Sequence, residues 1–200
     1  MPVNPTHLLL VVVGATSLVA LSRTWQIALL ALLVHYLALG GLVLELGPLA
    51  RGGLRILIGG LVCLVLFLTT KRVEHAQRAP GSPVVDRRQI SEVGFRLAAV
   101  GLAVIGVFGA SIPARFPSLP AELVLASAWL MAIGLVTLLI SRELLWVGMG
   151  LLTVESGFET IYTALDPRLE LAGLLAAGAL MLAFVVAAAV TFVDRGRKTP

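Results

Sequence analysis

The chain has 200 residues, of which 58% are hydrophobic and only 13% are charged, and its mean hydropathy is +1.00. A soluble globular domain has about 45–50% apolar and about 25% charged residues, so this composition excludes a water-soluble fold. The formal net charge of +4 does not indicate a nucleic-acid partner, because the basic residues stand at the ends of apolar runs. The composition therefore predicts an all-α integral membrane protein.

Seven apolar stretches follow one another along the sequence, at about 6–22, 24–46, 52–70, 91–112, 121–141, 143–165 and 169–193. Each is close to the roughly 20 residues that a helix needs to cross a bilayer. Prolines such as Pro48, Pro120 and Pro167 separate them, since proline cannot continue a helix beyond its first turn. The first stretch lacks a preceding basic segment, so we interpret it as a span rather than a signal peptide. We expect about seven transmembrane helices.

The basic residues predict an orientation for these spans. With the N-terminus outside, ten basic residues face the cytoplasm: Arg23, Lys71, Arg72, Arg78, Arg87, Arg88, Arg142, Arg195, Arg197 and Lys198. Four lie on or near the outer side: Arg51, Arg55, Arg115 and Arg168. Because cytoplasmic loops carry an excess of lysine and arginine, the N-terminus is expected outside and the C-terminus in the cytoplasm.

The longest connection between apolar stretches divides the chain into four predicted regions. Residues 1–70 form an N-terminal three-helix block, and residues 71–90 form a basic cytoplasmic loop. Residues 91–120 supply a linking helix with an outer loop. Residues 121–200 form a three-helix unit with a basic tail.

Two glutamates inside the sixth stretch are the strongest candidates for chemistry. Glu155 lies near the middle of this stretch, and Glu159 follows four residues later, so both carboxylates project from one helix face. Tyr162 continues that face. Two carboxylates this close in lipid cannot both stay ionised at low cost, which favours a proton relay or ion path. The alternatives are glutamates that only fix helix packing, and a Glu159 solvated at the outer surface.

Two further ionisable residues lie within the predicted spans. His35 is central in the second stretch, where a histidine can shuttle protons or simply hydrogen-bond a neighbouring helix. Arg55 lies about one turn into the third stretch. It is expected to extend its charged end to the outer interface, with a buried cation beside a carboxylate such as Glu45 as the alternative.

Other residues favour ordinary structural roles. Glu92 and Arg96 have the spacing of an interfacial ion pair, and the single cysteine, Cys63, is expected to act as a small hydrophobe. The sequence has no CxxC pair, HExxH motif or glycine-rich phosphate loop. We therefore predict no cofactor or metal site, and no redox centre within this chain.

The segment from Ser141 to Phe192 resembles a known family. It combines a short basic turn, an aliphatic run, the triplet Glu155-Ser156-Gly157, a short outer loop and a final apolar helix with a basic tail. These features are similar to the C-terminal part of hydrogenase-4 component E (HyfE-like) membrane subunits. That part in turn resembles subunit K of complex I and of multisubunit cation/proton antiporters (NuoK- and MrpC-like). Arg55 stands early in the third stretch, where the family carries a lysine.

This resemblance implies a non-catalytic subunit of a proton-translocating membrane complex in the plasma membrane of a prokaryote. Its partners would be antiporter-like and other membrane subunits, and Glu155 would occupy the position of the family's glutamate on the proton path. The family's second acid, in the last helix, is missing, since the aligned position is Ala177 or Gly178. Glu159 is a candidate substitute. A structural or assembly subunit, an antiporter subunit and a free-standing small transporter remain as alternatives.

Overall fold

The computed structural model describes residues 4–22, 24–46, 49–77, 89–166 and 168–196. Across these ranges the chain forms seven α-helices and one short 3-10 helix, with no β-strand. The helices are α1 (Pro5–Leu21), α2 (Trp25–Leu46), α3 (Leu49–Gln77), α4 (Gln89–Gly109), α5 (Ala121–Ile140), α6 (Leu144–Leu165) and α7 (Leu169–Gly196), and the 3-10 helix spans Ile112–Arg115.

Each predicted apolar stretch coincides with one of these helices. The largest difference is in α3, which continues beyond the predicted end at residue 70 as far as Gln77. The helix thus extends beyond its apolar run, because Lys71, Arg72 and Glu74 are compatible with a helical backbone although not with lipid. Positions 78–88 of the predicted basic loop and 197–200 of the tail lie outside the described residues.

The apolar helices identify a helical membrane protein. Four helical segments among the described residues are long and apolar enough to cross a membrane: Trp25–Leu46, Leu49–Glu74, Ala121–Ile140 and Leu169–Asp194. Pro5–Leu21 and Gly94–Gly109 are shorter apolar helices. Helix α6 is as long as α2 but less apolar, since two carboxylates and several hydroxyls interrupt its aliphatic run. The count of seven spans and their orientation stay predictions.

The helix ends have local causes. Asn4 precedes α1 and accepts a hydrogen bond from the Thr6 backbone N–H at 3.1 Å, with Pro5 in the first turn. This is the arrangement that a helix N-terminus favours. Pro120 caps the start of α5, and α5 ends where Ser141 adopts an extended backbone.

Six of the helices pack in a closed ring. Following contacts around the bundle, α1 packs on α2, α2 on α3, α3 on α7, α7 on α6, α6 on α5, and α5 back on α1. Helix α4 lies outside this ring against α5 and the edge of α1. Trp129 of α5 donates from Nε1 to Thr16 Oγ1 of α1 at 2.8 Å, which closes the ring with a buried polar contact.

Glycines set the separation of two helix pairs. A Cβ atom on Gly52 of α3 would lie 2.8 Å from the carbonyl oxygen of Gly40 in α2, and one on Gly134 of α5 would lie 2.9 Å from that of Gly150 in α6. Neither distance is tolerable for a carbon atom, so only glycine permits these approaches. One of these approaches joins α2 to α3, and the other joins α5 to α6.

Candidate functional site

The hydroxyl groups of α6 are largely satisfied by their own helix. Thr153 donates to the Met149 carbonyl at 2.7 Å, Thr160 to the Ser156 carbonyl at 2.6 Å, and Thr163 to the Glu159 carbonyl at 2.7 Å. Such local bonds allow hydroxyl-bearing residues to lie in an apolar setting. The polar contacts between α6 and its neighbours come instead from the side chains of Ser156 and Glu159 and from two backbone carbonyl oxygens.

Arg55 of α3 forms the central contact with α6. Its Nη2 lies 3.4 Å from Glu159 Oε2, and it also donates to the carbonyl oxygen of Ser156 at 2.5 Å and to Ser156 Oγ at 2.9 Å. Arg55 is 5% exposed and Glu159 is 7% exposed. The expected outward extension of Arg55 to the interface is therefore wrong, because a carboxylate of α6 holds the guanidinium inside the bundle. Glu159 is likewise buried rather than solvated at the surface.

His35 of α2 reaches the same serine. Its Nε2 lies 3.3 Å from Ser156 Oγ, and the side chain is fully buried. Ser156 Oγ also accepts a hydrogen bond from Arg55, and the tautomer of His35 decides which of the two atoms donates in the contact between Ser156 and His35. Ser156 thereby joins α2, α3 and α6 at one point.

Glu155 lies beside this group without an ion-pair partner of its own. Its side chain is partly buried, and its Oε2 is buried with no hydrogen-bond partner. Tyr36, Arg55 and Glu159 lie within electrostatic range of it. Arg55 and Glu159 neutralise each other. Among these residues, Glu155 is therefore the carboxyl group that has no positive charge paired with it.

Three further buried atoms near Glu155 lack hydrogen-bond partners: His35 Nδ1, Tyr36 Oη and Arg55 Nε. The rings of His35 and Tyr36 are 4.7 Å apart between centroids. A buried unsatisfied group costs about 1–3 kcal/mol, and each such group in a folded protein needs a physical explanation. We call His35, Tyr36, Arg55, Glu155, Ser156 and Glu159 the polar cluster. It combines a carboxyl group without an ion-pair partner, Glu155, with a neighbouring histidine and tyrosine whose polar atoms are also without partners.

Tyr162 does not belong to the polar cluster. It is 39% exposed and stacks on Phe158 with a centroid distance of 5.5 Å. The predicted face of α6 is therefore divided, with Glu159 turned towards α3 and Tyr162 turned to the outside of the bundle. Ala177 and Gly178 of α7, the positions aligned with the missing acid, are also exposed.

Other predicted residues have structural surroundings. Arg96 donates from Nη1 to the carbonyl oxygen of Ala20 at 3.1 Å, at the end of α1, while the side chain of Glu92 lies outside the described residues. Cys63 is buried with a free thiol. In the described part of the chain, no group of three or more histidine, cysteine, aspartate or glutamate residues is arranged to hold a metal ion.

Sequence reasoning missed the part played by two residues. Ser156 has no predicted role of its own, although it contacts both Arg55 and His35. Arg51, interpreted as an outer charge, donates from Nη1 to the carbonyl oxygen of Thr163 at 3.2 Å, two turns of α6 beyond Ser156. Neither contact can be read from the sequence, because both depend on how α3 packs against α6.

No protein-family model matches the chain, no curated protein is similar to it and no solved structure matches its fold.

Proposed function

We propose that this chain is a non-catalytic membrane subunit of a multisubunit proton-translocating redox complex, and that Glu155 carries protons within it. The proposal combines the resemblance to hydrogenase-4 component E with the surroundings of Glu155. An ionisable residue inside a membrane span is costly and therefore a functional candidate. The observation that carries the proposal is the buried, unpartnered Oε2 of Glu155 beside the neutral Arg55–Glu159 pair.

The surroundings of Glu155 suit reversible protonation. A carboxylate in an ion pair exchanges protons poorly, and Glu159 forms an ion pair with Arg55. Glu155 forms no such ion pair, and Tyr36 and His35 have polar atoms without hydrogen-bond partners. We therefore propose that Glu155 carries the proton, and that Arg55 and Glu159 form a fixed ion pair beside it. His35 is a candidate second relay group.

One chain of this kind cannot form a complete path across the bilayer. Its polar cluster is confined to α2, α3 and α6, and fully buried apolar side chains such as Leu32, Leu66 and Met149 lie between it and the helix ends where α2 and α6 begin. Antiporter-like and other membrane subunits would supply the remaining groups. In this proposal seven spans cross the plasma membrane of a prokaryote, with the N-terminus outside.

The test is proton translocation by the parent complex carrying Glu155→Gln. Proton uptake into inverted membrane vesicles is followed with a pH-sensitive dye while the complex turns over its electron donor. We expect uptake to be lost while the subunit remains in the purified complex, because glutamine fits the same space but cannot release a proton. Glu170→Gln, in the first turn of α7, is the matched control and should leave uptake unchanged. Undiminished uptake with Glu155→Gln would remove the basis of the proposal.

A structural or assembly role is the second candidate, and one observation favours it. Arg55 ties α3 to α6 through three polar contacts with Ser156 and Glu159, which is also what an anchoring device would require. If the cluster only anchors helices, Glu155→Gln should leave proton uptake intact, and variants of Arg55 should lower the amount of assembled complex. The two candidates thus predict different results. Loss of proton uptake with Glu155→Gln supports the relay, whereas intact uptake together with less assembled complex in Arg55 variants supports the anchoring role.

A further inference from the structure

Tyr36 of α2 is a buried tyrosine whose hydroxyl group has no partner. The side chain is 2% exposed, and its Oη is one of the buried atoms without a hydrogen bond. Burying a hydroxyl group without a hydrogen bond costs free energy, and phenylalanine would fill the same position without that cost. The hydroxyl group of Tyr36 therefore needs an explanation other than packing.

Helix α3 holds the base of the Tyr36 side chain. Gly59 lies directly against it, since a Cβ atom on Gly59 would contact Tyr36 Cβ, Cγ and Cδ1. These atoms are at the backbone end of the side chain, so the contact restrains the ring without involving its hydroxyl group. Gly59 follows Arg55 by about one turn of α3. The packing of α3 therefore keeps Tyr36 close to the level of Arg55.

Glu155 is the principal charged neighbour of Tyr36. It interacts with the tyrosine more strongly than Arg55 or Glu159 does. Its Oε2 is buried and, like the Tyr36 hydroxyl group, has no hydrogen-bond partner. A phenol can donate a hydrogen bond, whereas an ionised carboxylate can only accept one. The two unsatisfied groups are therefore complementary when Glu155 is ionised.

The other unpartnered atoms of the polar cluster suit this role less well. Nη2 of Arg55 contacts Ser156 and Glu159, so its Nε cannot turn without disturbing those contacts. Nε2 of His35 lies against Ser156 Oγ, and its Nδ1 donates in only one of the two neutral tautomers. The Tyr36 hydroxyl group, by contrast, can turn its proton about the C–O bond while the ring stays in place.

We infer that Tyr36 is a positioning residue of the proton path, whose hydroxyl group donates a hydrogen bond to Glu155 Oε2 when that carboxyl group has released its proton. The inference rests on the proposed function of Glu155 and adds a second residue to it. The O–H bond that breaks is that of the Glu155 carboxyl group, and the phenolic O–H bond of Tyr36 stays intact. Because a hydrogen bond to the ionised form favours that form, Tyr36 promotes release of the proton inside the bundle.

The hydrogen bond is tested by infrared difference spectroscopy of the purified full-length chain in lipid. The chain has two tyrosines, so Tyr162→Phe leaves Tyr36 as the single tyrosine that carries an isotope label. We expect the phenolic C–O band of Tyr36 to shift between acid and alkaline samples, and this shift to be absent when Glu155→Gln is added. The same band position in both samples, or the same shift with Glu155→Gln, would overturn the inference.

Proton uptake by the parent complex measures the consequence. Tyr36→Phe keeps the ring and its packing against Gly59, so the complex should assemble as before. The initial rate of uptake should fall about tenfold, because one hydrogen bond to a charged group is lost. Tyr162→Phe, on the same helix as Glu155 but outside the polar cluster, is the matched control and should leave the rate unchanged.

The two variants also separate this inference from the proposed function. If Glu155→Gln abolishes uptake while Tyr36→Phe leaves its rate unchanged, the inference fails and the proposed function stands. If neither variant changes uptake, the proposed function fails, and the role of Tyr36 fails with it. Should Tyr36→Phe prevent assembly, the infrared comparison still decides, because it keeps Tyr36 in place.

Discussion

Arg55 determines how the charges inside this protein are distributed. A buried cation persists only where a counter-charge and hydrogen bonds compensate its desolvation, and here Glu159 and Ser156 supply both. Glu159 is therefore the counter-ion of Arg55. Glu155, one turn away on the same helix, remains the carboxyl that can change its protonation without breaking an ion pair.

This pairing predicts an unequal response to single and double substitution. Arg55→Met and Glu159→Met should each destabilise the chain by about 3–5 kcal/mol, because each leaves an uncompensated buried charge. The double variant should recover most of this loss, since methionine fills similar space without a charge. Unfolding in detergent with a chemical denaturant, followed by circular dichroism, measures the differences. Additive losses in the double variant would contradict the ion pair, and Arg115→Met serves as an exposed control.

The polar cluster could be predicted only in part at the level of residues. Helical spacing placed Glu155 and Glu159 on one face correctly, because that spacing is a property of α6 alone. It also placed Tyr162 there, yet Tyr162 stacks on Phe158 at the edge of the buried face. The burial of Arg55 depends on Ser156, 101 residues away in the sequence. Such a contact arises from helix packing, which no local pattern specifies.

At the scale of helices, the contact between α2 and α3 positions Tyr36. Gly59 of α3 lies directly against the Tyr36 side chain, and a Cβ atom there would come within 2.7 Å of Tyr36 Cδ1. Gly60, the next residue, has no such neighbour within 4 Å. The two adjacent glycines therefore have different functions, one in packing and the other without a steric requirement.

This difference predicts opposite effects of the same substitution. Gly59→Ala should destabilise the chain by about 1–3 kcal/mol, as overpacking does, and should displace Tyr36 from the polar cluster. Gly60→Ala should be neutral or stabilising by up to about 1 kcal/mol, because alanine favours helix over glycine. Thermal unfolding of the two variants in the same detergent measures both. A similar loss in both variants would mean that helix backbone rather than side-chain contact accounts for the effect.

The positions of the helices could be read from the sequence, whereas their arrangement could not. Apolar runs bounded by proline and charge locate α1 to α7 because lipid imposes helical structure on each run separately. A pair such as Gly52-Gly53 does not show by itself which glycine meets another helix. A Cβ atom on Gly52 would lie 2.8 Å from the carbonyl oxygen of Gly40, whereas one on Gly53 would have nothing within 4 Å, because the rotation of each helix within the ring decides this.

At the scale of the whole molecule, the sequence predicts that all seven helices cross the membrane. Four helical segments qualify by length and composition, and α6 differs from them mainly by carrying the polar cluster. As a member of the ring, α6 packs on α5 and α7, so that its polar residues have protein neighbours. Helices joined by short connections, such as α1 with α2, α5 with α6 and α6 with α7, also pack on each other. The chain therefore reverses direction between them, which favours a crossing by both members of each pair.

Site-directed labelling tests this orientation in intact cells. Starting from Cys63→Ala, which removes the free thiol, single cysteines are introduced as Thr24→Cys, Ser118→Cys, Arg142→Cys and Asp166→Cys, each at a connection between helices. With seven crossings and an outer N-terminus, a membrane-impermeant maleimide should label positions 118 and 166 from outside. Positions 24 and 142 should react only after the membrane is permeabilised. If α5 or α6 does not cross, the two labelled connections that flank it will react from the same side, so the pattern identifies that helix. Labelling of position 166 together with position 142 would thus place α6, and with it Glu155, outside the set of membrane-spanning helices.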